Sequence, residues 1–283
     1  WRLLLSRNVN SISSMSISAI LKSSIAKKWL MALTGLFLCL FLVGHLLGNL
    51  QLFIGSLDGT VKFNEYAEFM SSNPIVQTVA WITKILIGVH VVLALLLVIN
   101  NRSARSTNYT YNRPDKNAKF SSRTMGWMGT LLLVFIVVHL INFWAPMHYD
   151  NEFPVQLNEA GNYYTADGIE QVNSYLQKVE GKQHVFINKT DMGLAMRDLA
   201  KVTKDFFSKT ENGVTALLMM ILYAIAMLAV AFHLSHGFAS AFQSLGINHK
   251  RYNGMIKLAG MAFSFVVPFV FAAIPIYLYV TQA

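Results

Sequence analysis

Cysteine is all but missing: Cys39 is the sole one among 283 residues. A single thiol excludes an intrachain disulfide framework, an iron–sulfur cluster held by this chain alone, and covalent haem attachment through C-x-x-C-H. Charge is scarce too. Only 13% of the residues are Asp, Glu, Lys or Arg, about half the ~25% usual in a soluble domain. No P-loop and no G-x-G-x-x-G behind a strand occurs, which argues against nucleotide or flavin binding by this chain. The net charge of +9 invites a nucleic-acid reading. The basic residues, however, sit in short segments flanking apolar runs, and no nucleic-acid partner is expected.

What the chain has instead is apolar length. Five runs cover 29–54, 76–100, 125–146, 213–240 and 255–281, each long enough to cross ~30 Å of hydrocarbon at ~1.5 Å per residue. The expected fold is therefore an all-α integral membrane protein, a five-helix transmembrane bundle. Trp29, Phe53, Trp127, Trp144, Tyr277 and Tyr279 cluster near the run ends, as an interfacial belt requires. Pro268 and Pro275 predict a kink in the fifth helix.

Orientation follows from the basic residues. Lys22, Lys27 and Lys28 precede run one. Arg102, Arg105, Arg113, Lys116, Lys119 and Arg123 join runs two and three, and Lys250, Arg251 and Lys257 accompany the join of four and five. The join of one and two has Lys62 alone, against Asp58, Glu65 and Glu68. The alternation predicts a cytoplasmic N-terminal segment over 1–28 and a C-terminus outside. Met15 is a candidate start, and no secretory signal is expected, because the first apolar run is too long and lacks a cleavage site. The polar stretch 147–212 reads as a periplasmic loop within the bundle. From Met192 to Phe207 it predicts an amphipathic helix, with Leu194, Met196, Leu199, Val202 and Phe206 on one side.

Four spans carry histidine: His45, His90, His139, and the pair His233 and His236. An ionisable side chain in a membrane needs a partner and faces the bundle interior. One such residue is usually a satisfied packing group; four on four helices ask for more. His45 lies sixteen residues beyond Trp29 and His139 fourteen beyond Met125, both on outward-running spans, which places them ~20–25 Å from the cytoplasmic face. His90 and His233 lie on inward-running spans, in the cytoplasmic half. Two opposed histidines per leaflet are a ligand set for six-coordinate haem iron built from facing helices. Zinc or copper also takes imidazole, but pairs without carboxylate or thiolate suit haem better.

Gly44 and Gly48 bracket His45, Gly88 precedes His90 and Gly237 follows His233, as close helix approach to a flat ring would need. Gly44-x-x-x-Gly48 equally fits a plain helix-packing motif. Lys84, six residues before His90, is a candidate partner of a haem propionate or a snorkelling surface lysine. Arg123 is a candidate for the other haem's propionates, or a topology anchor.

The run Gly44-His45-Leu46-Leu47-Gly48-Asn49, the His90 and His139 positions, and His233-x-x-x-Gly237-Phe238 resemble the single-chain dihaem cytochrome b membrane anchor of succinate dehydrogenase and fumarate reductase, in the form of Bacteroidetes-type bacteria. The likeness covers about residues 22–283, with the loop 147–212 longer than in the family's shorter members. The resemblance implies two haem b groups, with His45 and His139 holding the distal one and His90 and His233 the proximal one. It selects His233 by its spacing from a glycine, with His236 the alternative. It further implies a flavoprotein and an iron–sulfur subunit docked on the cytoplasmic side, a location in the bacterial cytoplasmic membrane, and a quinone, menaquinone, reacting near the distal haem. Glu65 and Glu68 are candidates for its proton exchange, or ordinary exposed loop carboxylates. Rival readings are the dihaem anchor of another respiratory dehydrogenase and a transporter using buried histidines as a proton relay.

Overall fold

The computed structural model describes residues 23–55, 57–104, 120–150, 154–159, 162–164, 174–179, 182–187 and 189–281. Lys22, Arg105, Arg113, Lys116, Lys119 and the candidate start Met15 lie outside them. Five helices are long and apolar enough to cross a membrane. Helix α1 is Ser24–Asn49, continued by a 3₁₀ turn Leu50–Phe53. A separate helix α2, Leu57–Ser72, precedes α3, Pro74–Ser103. Helix α4, Phe120–His139, passes through a π-helical turn, Leu140–Trp144, into α5, Ala145–Tyr149. After a small sheet come α6, Leu199–Phe207, α7, Lys209–Ser244, and α8, Lys250–Thr281.

The ends follow local chemistry. Asn73 Oδ1 accepts from the amides of Ile75 and Val76 at 3.0 and 3.2 Å, with Pro74 in the first turn, so α2 and α3 are separate helices and not one. Ser208 Oγ likewise accepts from Glu211 N at the start of α7. Gly213 has φ +51° and interrupts that helix four residues in. Helix α8 runs as one helix through Pro268 and Pro275, both buried.

Along these helices large apolar side chains face outward: Leu40, Ile85, Trp127, Leu228 and Phe265 are all more than 60% exposed. In water such a surface would aggregate; against lipid tails it is the expected exterior. Small residues and glycines let the helices close on one another instead. A Cβ on Gly260 would stand 2.8 Å from the Phe238 ring, so the α7–α8 contact requires glycine there.

The segment after α5 departs from the expectation. It holds five antiparallel strands, β1 Val155–Glu159, β2 Asn162–Tyr164, β3 Ser174–Val179, β4 Lys182–Ile187 and β5 Thr190–Arg197, in the order β2-β1-β5-β4-β3. The predicted helix over Met192–Phe207 is thereby corrected: its first part is strand β5, and only Leu199–Phe207 is helical. Asp198 divides the two. Its Oδ1 accepts from Lys201 N at 2.9 Å and starts α6.

Helices α2 and α6 cover one end of the bundle as a cap. Asn64, fully buried, donates from Nδ2 to Asp198 Oδ1 at 2.7 Å and accepts from Ala200 N at 2.9 Å. Arg197 donates to the carbonyls of Pro146, Met147 and Asp150 at 2.7–3.1 Å, tying β5 to the end of α5. Beneath, Phe207, Ala200, Phe63 and Leu52 form one buried core with Tyr223, Ile274 and Leu278. A Cβ on Gly48 would stand 2.3 Å from Tyr66 Cε1. The Gly44-x-x-x-Gly48 pair therefore seats the α2 tyrosine at Gly48 and leaves Gly44 open.

Candidate histidine-pair centres

The four helices α1, α3, α4 and α7 each bring one histidine inward, and the rings meet in two pairs. His45 and His139 have ring centroids 5.9 Å apart at an interplanar angle of 84°. His90 and His233 stand 6.3 Å apart at 63°. The pairing derived from depth is the pairing seen. His233, not His236, meets His90. His236 lies one turn further along α7, where its carbonyl accepts from Ser240 Oγ at 2.7 Å.

Each separation has two physical readings. Edge-to-face aromatic contacts fall at ~4.5–7 Å. Two imidazoles sharing one metal, with metal–nitrogen bonds of ~2.0–2.1 Å, also place their centroids about 6 Å apart. Hydrogen bonding bears on the choice. Among the described residues the buried Nδ1 atoms of His139 and His233 have no partner, a cost of ~1–3 kcal/mol each for a neutral group that ring contact alone leaves unmet.

His90 is oriented more fully. Thr34 Oγ1 lies 2.9 Å from His90 Nδ1, and 2.8 and 3.0 Å from the carbonyls of Leu30 and Met31. A hydroxyl that gives its one proton to a carbonyl accepts from Nδ1–H, an arrangement that leaves Nε2 with its lone pair free. Gly35 lies against the same ring, its Cβ position 3.3 Å from His90 Cε1, and Gly129 lies against His233, 3.7 Å from its Cε1. Thr34, Gly35 and Gly129 were not singled out in the sequence. Their only signal is a spacing: Gly35 precedes His45 by ten residues, and Gly129 precedes His139 by ten.

The two pairs differ in surroundings. His45 stacks on Phe41 at 5.5 Å and touches Phe271, while His139 is ringed by Phe135, Phe143 and Tyr223. Asn49 reaches back one turn, donating from Nδ2 to the His45 carbonyl at 2.8 Å. Phe143, Phe206 and Phe207 continue the aromatic packing from His139 into the cap.

The remaining sequence candidates lie elsewhere. Glu65 is exposed on α2 and Glu68 half-buried; both belong to the cap helix, which the Asn73 cap separates from α3. Arg123 is exposed near the start of α4. The Lys84 ammonium lies 4.0 Å from the ring centre of Trp81 and 4.5 Å from that of Trp144. A surface groove of about 380 Å³ beside Phe53, Ala272, Ala273 and Tyr277 contains no histidine. Among the described residues no three His, Cys, Asp or Glu side chains converge, so the donor set is two imidazole pairs.

Fold and site together define a helical membrane protein with two histidine pairs stacked along one bundle. Compared with protein-family models, with curated proteins and with solved structures, the chain matches none.

Proposed function

We propose that the chain is the dihaem cytochrome b anchor of a succinate:quinone oxidoreductase, moving electrons between a docked iron–sulfur and flavoprotein pair and membrane menaquinone. The observation that carries the haem reading is the pair geometry: four helices, two imidazole pairs at 5.9 and 6.3 Å. The particular complex rests on the sequence resemblance alone. His45 and His139 would hold one haem b, and His90 and His233 the other. Bound there, haem iron supplies reversible one-electron transfer.

The chain's own residues orient and enclose. Thr34 fixes the His90 tautomer, as outer hydrogen bonds do for metal-ligating histidines. Phe41, Phe135, Phe143, Phe271 and Tyr223 exclude water from the other pair. In this reading the uncapped end, with Arg102, Arg123, Lys250, Arg251 and Lys257, faces the cytoplasm and the soluble partners. Glu65 and Glu68, on the capped side, exchange protons with the quinone's pool.

The test is a reduced-minus-oxidised spectrum of the purified full chain with haem quantified. Two b-type haems per chain, each with a bis-histidine signature in electron paramagnetic resonance, support the proposal. Well-folded protein that takes up no haem would overturn it and turn the histidines into a proton-relay problem.

A further inference from the structure

Lys84 is the one Lys, Arg, Asp or Glu of α3 between Pro74 and Ile99. From Ile85 to Ile99 the only side chain able to carry a charge is His90, whereas Gln77, Thr78, Thr83 and Lys84 occupy the turns before it. Lys84 therefore lies towards the capped end of the span, near the interface that its neighbouring tryptophans favour. Trp81, 61% exposed, and Trp144 belong to that same level and are the side chains that favour it.

The lysine's partners are incomplete. Its ammonium is held by two indole faces, at 4.0 and 4.5 Å, each a stabilising contact within the ~6 Å reach of a cation–π interaction. Indole faces take up positive charge but accept no strong N–H hydrogen bond. Among the described residues no carboxylate lies within ion-pair distance of Lys84. Trp81 is largely exposed and Trp144 half-buried on the turn after α4, so the ammonium lies between α3 and that turn. A lysine free to snorkel would extend towards water. This one is pinned between two rings at interface depth, with N–H groups to spare.

We propose that Lys84, clamped between Trp81 and Trp144, binds the phosphate of an anionic phospholipid in the leaflet under the cap. The phosphate supplies the oxyanion that the three N–H donors lack, and the indoles line the path of the glycerol and upper acyl chain. The site is independent of whether haem is bound.

The test uses the purified full chain with equal phosphatidylglycerol and phosphatidylcholine, counting retained lipids by native mass spectrometry, with haem per chain measured in parallel. Wild type should retain phosphatidylglycerol in preference, and Lys84→Gln should lower that preference about fivefold, the scale of one basic residue at an anionic surface. Lys84→Arg should keep it. Trp81→Leu, on the outer surface of the bundle, should weaken it and serves as the deciding variant if Lys84→Gln does not fold. No preference in wild type, or unchanged preference in both variants, overturns the proposal. Loss of haem from Lys84→Gln with phosphatidylglycerol retention intact also overturns it, and assigns the lysine to a haem propionate instead.

Discussion

Thr34 Oγ1 and His90 Nδ1 lie 2.9 Å apart across the α1–α3 interface, and the same hydroxyl is tied to its own helix at Leu30 and Met31. The bond holds one imidazole in one tautomer. Thr34→Val keeps the shape and removes the acceptor, leaving a buried N–H unpaired. On the dihaem proposal, haem affinity at the His90–His233 pair falls by roughly 10–100-fold, the usual effect of losing such a partner. Thr34→Ser should restore it. Haem retention during dilution, measured by absorbance, decides the matter; equal retention in the valine and serine variants would remove Thr34 from the site.

Gly35 and Gly129 flank that same pair from two different helices. Leucine at either position must displace an imidazole, because a Cβ alone would stand 3.3 Å from His90 or 3.7 Å from His233. If the pairs hold haem as proposed, the expected result is one haem per chain in place of two, with the remaining spectrum that of the His45–His139 pair. Gly44→Ala, where nothing lies within 4 Å of the added atom, should keep both.

Pairing by ring contact separates His233 from His236. On the dihaem proposal, His90→Ala and His233→Ala should each leave one haem, and His236→Ala should leave two. One haem in His236→Ala with two in His233→Ala would reverse the assignment.

Asn64 joins the cap to itself through two buried hydrogen bonds, to Asp198 and to Ala200. Asn64→Leu leaves the Asp198 carboxylate with fewer donors in a buried place, where its Oδ2 already has none. We expect a loss of about 1–3 kcal/mol, read as a lower melting temperature and faster protease cleavage between β5 and α6. Haem content should stay at the wild-type value, since the cap residues touched here are not ligands.

Burial raises the Tyr66 phenol above its ordinary value of 10.0. Such a group contributes stability that is complete below pH 10 and is lost as pH rises through the folded value, because only the unfolded state gains by ionising early. Alkaline titration followed by tyrosinate absorbance should show a late-ionising phenol in wild type that is missing from Tyr66→Phe. The variant should also lose less of its cap protection above pH 10 than wild type does.

The spans were legible because lipid imposes length: a run of some twenty apolar residues has few other uses. The histidine pairs were legible because helix rise converts sequence position into depth. The cap was not. Residues 196, 199 and 206 fit a helical stripe, while Leu194 and Met196 fit the period of two of a strand; the Asp198 helix cap was the overlooked divider. Helix α2 escaped notice because its buried residues, Val61, Phe63, Asn64 and Ala67, bury against a cap that the sequence does not announce. Gly35 and Gly129 have no side-chain chemistry to read, and only their neighbours across the bundle disclose what they do.

Those two glycines share a measure with the histidines above them. On α1 and on α4 ten residues separate the glycine of one level from the histidine of the other, a rise of ~15 Å. One residue more or fewer between them turns the upper ring by about 100° around its helix. Substitutions along 36–44 and 130–138, apart from Phe41 and Phe135 which pack on the rings, can therefore be mild, while a single insertion there breaks one pair or the other. Length is thereby held more tightly than spelling in these stretches.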